Sequence, residues 1–265
     1  LVNNIICIDK QSNLERYIAT TVPVRKGVTG SVPLTGWDPE HEFGLASPQQ
    51  LIVEKNPHSG YSLTANNDTM EERGEFYIHN FPTHSARADR IKELLDAGTK
   101  FSVDEFCEMQ LDLKDLRAQE ILPDLLAVLK TSEDANVQIA VSVLEGWDCK
   151  ASIESSGACV FYPFLDRYWQ RKYLFEVLGD ELVRLLPLAA PGLNRFDIKT
   201  FTNPLSPWKK HEPKLIEIIC AEMSVVVERV KKSLGADETE WRWGDLHQIA
   251  FWHRLRKRPE FEGLT

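Results

Sequence analysis

Histidines, cysteines and carboxylates are the side chains best suited to chemistry near neutral pH, and here their spacing excludes several familiar sites. The seven histidines are His41, His58, His79, His84, His211, His247 and His253. A helical zinc pair needs two histidines four apart, whereas His247 and His253 are six apart and face different ways. Cys7, Cys107, Cys149, Cys159 and Cys220 include no Cys-x-x-Cys pair, so neither a zinc ribbon nor a disulfide framework is indicated. They read as free, mostly buried thiols, with Cys149 and Cys159 the one pair able to bridge a loop in an oxidising compartment. No P-loop, dinucleotide glycine fingerprint or Gly-x-Ser-x-Gly elbow occurs. Asp9, Asp68, Glu71 and Glu72 are carboxylates near turns, read as solvated surface with a calcium site as the lesser alternative. The basic run from Arg254 to Arg258 reads as a solvated end.

Composition narrows the function classes further. The 265 residues carry 31 Lys+Arg against 40 Asp+Glu, a formal net charge of −9, which opposes broad binding to nucleic-acid phosphates. With 43% hydrophobic and 27% charged residues the chain has a globular mix, and its length permits a sizeable core. No apolar run approaches the roughly 18 residues of a membrane span. The opening Leu1-Val2-Asn3-Asn4 has no initiator Met and no signal peptide, and it reads as a strand already under way. The expectation is a piece of a longer protein, or a chain whose front has been removed.

The elements that would position any site fall into two stretches. Asn4 to Ile8 and Tyr17 to Val22 predict a hairpin around the polar turn Asp9 to Asn13, and Gly27 to Trp37 predicts a loop. Leu51 to Glu54 and Tyr61 to Thr64 predict two more strands, divided by Asn56-Pro57-His58-Ser59-Gly60. From about Ser85 the period becomes helical. Arg87 to Ala97 precedes a stop at Gly98, and Ser102 with Glu105 forms a capping box. Phe106, Met109, Leu113 and Leu116 continue a helical spacing beyond it. Leu125–Leu129 and Val137–Leu144 predict further helices, and the aromatic run Phe161 to Val177 reads as core. A long helix is expected from Pro213 to Leu234, ended by Gly235, with a last helix or turn around Trp241 to His247. Strands followed by helices make an α+β chain, with residues 1–83 strand-rich and residues 84–265 mainly helical.

Several segments in order resemble the penicillin acylase family. Asn56-Pro57-His58-Ser59-Gly60-Tyr61, Thr64-Ala65-Asn66-Asn67 and Ala88-Asp89-Arg90-Ile91 carry the resemblance. Val22-Pro23-Val24-Arg25 and Pro33-Leu34-Thr35-Gly36-Trp37-Asp38 resemble the stretch ahead of the Asn-Pro turn. Met109-Gln110-Leu111-Asp112 resembles the family's Gln-x-Asp helix, and Trp241-Arg242-Trp243-Gly244-Asp245-Leu246-His247 its Trp-x-Trp-Gly-x-x-His segment. Each piece alone is weak; their shared order over nearly the whole chain is specific.

The resemblance implies an N-terminal-nucleophile hydrolase, of which this chain would be an internal part of the β chain. It would hold part of an αββα sandwich followed by a helical region. Such enzymes hydrolyse linear N-acyl amides, β-lactam side chains or acyl-homoserine lactones, through an acyl-enzyme. By the same resemblance Asn66 matches the oxyanion-hole Asn, and Arg90 the Arg near the nucleophile's amine. An amide N–H on the oxyanion contributes roughly 3–4 kcal/mol to the transition state, and a fixed cation favours a neutral, basic amine. Residue 1 is Leu, which is no nucleophile, and Ser31 in its Pro/Gly loop is a poor substitute. The nucleophile is therefore expected ahead of Leu1, on a partner chain or missing segment, and the closing strand beyond Thr265. No cofactor is required; the family's structural calcium has no clear counterpart here, Glu71, Glu72 and Glu75 being the nearest acids. The family is usually periplasmic or secreted. The rival reading is a degenerate, non-catalytic relative acting as a binding or assembly module.

Overall fold

The structure is a computed structural model and describes residues 4–25, 33–67, 85–165, 169–179 and 212–249, with Leu205, Arg258 and Glu260. The described residues through Arg117 belong to one compact unit and those from Ala118 onward to a second.

In the first unit, β1 (Asn4–Ile8), β2 (Leu14–Ile18) and β5 (Ile52–Lys55) form an antiparallel sheet with β2 in the centre. The β1–β2 turn is tied by Asp9, whose carboxylate accepts from the backbone N–H of Gln11 and Asn13 and from Asn13 Nδ2 at 2.8–2.9 Å. Those bonds, Asn13's first, hold the Asp9 carboxyl below its ordinary range and give it a turn-capping role. β3 (Pro23–Val24) and β4 (Gly44–Leu45) make a second, two-stranded pair. Ile18, Val22 and Val53 form a small buried cluster lined by Ala46 and Leu51.

α1 (Ala86–Asp96) and α2 (Val103–Gln110) complete this unit. The capping box is present at α2: Glu105 N–H donates to Ser102 Oγ at 3.2 Å, and Ser102 N–H to Glu105 Oε2 at 2.6 Å. Two expectations are corrected here. Tyr61 to Thr64 is not a strand: it joins neither sheet, and the side chains of Tyr61 and Ser62 bond Asp96 and Glu54. The helical spacing through Leu116 is broken at Leu111, since Asp112 is drawn to Arg90 and Asp115 accepts from Arg117 N–H at 2.8 Å to begin a new helix.

That helix, α3 (Leu116–Leu129), leads into α4 (Ala135–Glu145), α5 (Ser156–Leu165), α6 (Trp169–Leu178), α7 (Glu212–Leu234) and α8 (Trp243–Leu246). The 23 residues of α7 span about 35 Å and pack on α4, α5 and α6. Its apolar stripe, Leu215, Ile219, Met223 and Val226, is fully buried, and Gly235 closes it at φ +101°. Phe161, Phe164 and Tyr173 are fully buried, so these aromatics are core. All five cysteines are free thiols, Cys149 and Cys159 buried. Among the described residues no helix is long and apolar enough to cross a membrane.

Candidate functional site

The first unit holds both candidate residues and shows how they are fixed. The segment from Asn56 to Asn67 begins on the sheet. Asn56 has φ +44°, its N–H donates to Leu14 O at 2.7 Å, and its Oδ1 accepts from Leu14 N–H at 2.8 Å. Gly60 turns the chain at φ +75°, a left-handed conformation that glycine adopts without strain. Ser62 then donates to Glu54 beside Arg16, whose Nε lies 3.0 Å from Glu54 Oε2 and 3.2 Å from Ser62 Oγ. Burial pushes the Glu54 carboxyl up, but the bonds from Arg16 and Ser62 outweigh it and hold the acid below its ordinary value. Arg16 is 4% exposed, so the site's sheet support contains a buried cation paired with a carboxylate.

From Tyr61 to Asn66 the segment lies along α1 in the opposite direction. Tyr61 Oη donates to Asp96 Oδ1 at 2.5 Å near the helix end, where Lys92 also binds Asp96. At the helix start, Arg87 Nη2 donates to Ala65 O at 2.8 Å and to Asn66 Oδ1 at 2.6 Å. The geometry closes: nine helical residues rise about 14 Å, and five extended ones reach about 17 Å. Asn66 itself is exposed and left-handed, at φ +63°. Asn is among the few non-glycine residues that occupy this region readily. Ala65 N–H donates to Asn67 Oδ1 at 3.0 Å, tightening the same turn.

Arg90 follows Arg87 by three residues on α1. Its Nε and Nη2 grip both oxygens of Asp112 at 2.8 Å, a two-pronged pairing suited to guanidinium and carboxylate, and its Nη1 donates to Glu93 at 2.9 Å. Asp112 first and Glu93 second stabilise the charged guanidinium, raising its pKa further. The structure thus joins two of the sequence segments, Ala88-Asp89-Arg90-Ile91 and Gln110-Leu111-Asp112. It fastens Asn66 to the same helix through Arg87, a residue to which the sequence assigns no site role. Only a pair of arginines three apart at a helix start could have signalled it.

The remaining sequence candidates have structural explanations or lie elsewhere. His41 Nδ1 is 2.9 Å from Thr35 Oγ1 in an exposed loop. The Trp-x-Trp-Gly-x-x-His segment packs in the second unit: Trp241 is buried with Nε1 donating to Gly235 O at 3.0 Å, and Trp243 stacks on His247 at 4.7 Å. A Cβ at Gly244 would meet Ile153 at 3.1 Å, so a larger residue there would press on that side chain. His79, His84, His211, His253, Asp68, Glu71, Glu72, Glu75, Ser31 and most of the basic run lie outside the described residues. Among the described residues no group of three or more His, Cys, Asp or Glu could hold a metal ion.

The profile of the family described as Penicillin amidase matches residues 1–263. The chain belongs to the penicillin amidase family. It is similar to the acyl-homoserine lactone acylase QuiP of Pseudomonas syringae pv. tomato, at 27% identity over 89% of this chain and 31% of the relative. It is also similar to the penicillin acylase 2 proenzyme of Pseudomonas sp. strain SE83, at 28% identity over 61% of this chain and 21% of the relative. Among solved structures, the thermostable penicillin G acylase of Alcaligenes faecalis matches with a TM-score of 0.63 at 19% identity, covering 91% of this chain and 48% of that one. That likeness gives the penicillin amidase fold to the α+β arrangement described above. The chain spans about a third of the length of the acyl-homoserine lactone acylases it matches.

Proposed function

We propose that this chain is part of a working amidohydrolase that cleaves a linear N-acyl amide through an acyl-enzyme, with Asn66 donating to the oxyanion. The nucleophile would come from outside these 265 residues. The observation that carries the reading is the Asn66 carboxamide, left-handed and held through its oxygen by Arg87, which turns its N–H donors to the side away from that arginine. A fixed donor of this kind stabilises charge only as it develops in the tetrahedral intermediate. The two relatives named above supply the substrate class, with acyl-homoserine lactones ahead of β-lactam side chains because the matching lactone acylase covers more of this chain.

Arg90 has a supporting part in this reading. With Asp112 and Glu93 against it, its charge is balanced locally. Its contribution to the nucleophile's amine is then to hold Asp112 and the start of α1 in place, with only a reduced field on the amine itself.

The test has two arms. Intact mass and N-terminal sequencing of the protein purified from its source should reveal a longer chain, or a co-purifying chain beginning with Ser, Thr or Cys. A lone 265-residue chain starting at Leu1 would remove the nucleophile and hand the function to a binding or assembly role. In the active form, Asn66→Ala should lower kcat by roughly 10²–10³-fold with KM little changed; unchanged kcat would remove Asn66 from the chemistry.

A further inference from the structure

We propose that Arg87 is a positioning residue for Asn66, fixing which way its carboxamide faces and polarising it for oxyanion binding; this rests on the oxyanion reading above. A guanidinium carries donors only. The Asn66 atom 2.6 Å from Arg87 Nη2 must therefore be the carboxamide oxygen, which removes the ambiguity that usually attends an Asn amide. With the oxygen held, the two N–H donors lie on the other side of the group. The same Nη2 also holds Ala65 O at 2.8 Å, so one nitrogen fixes both the side chain and the peptide leading into the left-handed residue.

The two arginines of α1 differ in what they face. Arg90 faces two carboxylates. Arg87 faces two neutral oxygens, and among the described residues no carboxylate pairs with it. Its guanidinium is bonded directly to the Asn66 oxygen. A cation bonded to an amide oxygen draws electron density from the amide and strengthens its N–H groups as donors, as bonds in a chain polarise one another.

The experiment uses the active full-length enzyme with N-octanoyl-homoserine lactone as probe, comparing Arg87→Ala, Arg87→Lys, Asn66→Ala and the double variant. Arg87→Ala should lower kcat about tenfold with KM changed less than twofold. Arg87→Lys, which keeps the charge and a donor nitrogen but not the planar fork, should recover part of the loss. The double variant should match Asn66→Ala alone, because Arg87 has nothing to position once the carboxamide is gone. Losses that multiply in the double variant, or an Arg87→Ala effect confined to KM, overturn the proposal while leaving Asn66 as the oxyanion donor. Full activity in Asn66→Ala overturns the oxyanion reading itself. Should Arg87→Ala fail to fold, Arg87→Lys and Arg87→Gln carry the same comparison, and wild-type kcat in both overturns it.

Discussion

Fourteen large hydrophobic side chains are exposed among the described residues, and eleven of them belong to the first unit, from Ile5 to Leu113. Buried apolar residues run the other way: of 32 among the described residues, six lie in that unit and 26 in the second. The second unit is held by interdigitated apolar side chains. The first is held by polar links between segments far apart in sequence: Asn56 to Leu14, Arg16 to Glu54, Arg87 to Asn66 and Arg90 to Asp112. Hydrogen bonds fix direction, whereas apolar contact fixes only proximity. The proposed aiming of the Asn66 carboxamide relies on the former, in the unit where polar links join distant segments.

The sharpest way to break this contrast is truncation. Phe161→Ala in the fully buried core should destabilise the second unit by about 3–5 kcal/mol, seen as faster amide exchange across α4, α5 and α7. Ile8→Ala, at a side chain 70% exposed, should change stability by less than about 0.5 kcal/mol. Equal losses would abolish the distinction.

A smaller effect is expected at the polar support. Arg16→Met leaves Glu54 without its cation and should cost about 1–3 kcal/mol at pH 7. Glu54 has a folded pKa below its ordinary 4.5. The stabilisation it gives is therefore complete above that pH and lost as pH falls through the lower folded value. The gap between wild type and Arg16→Met in urea melts should close in that acid range; a constant gap would mean that charge plays no part.

The gentlest probe perturbs nothing. Cys7 and Cys107 in the first unit are exposed, while burial pushes the Cys159 thiol in the second up to about 11. Alkylation of the native protein at pH 8 should label the first two and spare Cys159. Rapid labelling of Cys159 would show that the helical core opens.

Local signals account for what the sequence made legible. The run Asn4 to Ile8, the Ser102–Glu105 box and the Pro213 to Gly235 frame each encode their structure within a few residues, and each element formed where read. Asn66 and Arg90 could be named only by resemblance, and their surroundings were not legible at all. Arg87 acts across 21 residues, Arg90 across 22 and Tyr61 across 35. Tyr61 to Thr64 alternates as a strand does, yet the side chains of Tyr61 and Ser62 bond Asp96 of α1 and Glu54 of β5. Leu113 and Leu116 keep a helical spacing over a break at which Asp112 binds Arg90 and Asp115 caps the next helix.

The left-handed backbone at residue 66 sets two filters on any library of replacements. The backbone admits Gly, Asn and Asp at little strain and resists bulky or β-branched side chains. The chemistry of the proposed oxyanion donor asks for a neutral group with an N–H or O–H to give, such as a carboxamide. Gly would satisfy the turn and leave nothing to donate. Asp would pair with Arg87 and present a negative oxygen where a donor is needed. Gln would carry the right group on the wrong backbone, one methylene too far out. Of the residues the turn admits at little strain, Asn is the one that brings a carboxamide, so backbone and chemistry together narrow the choice at this position.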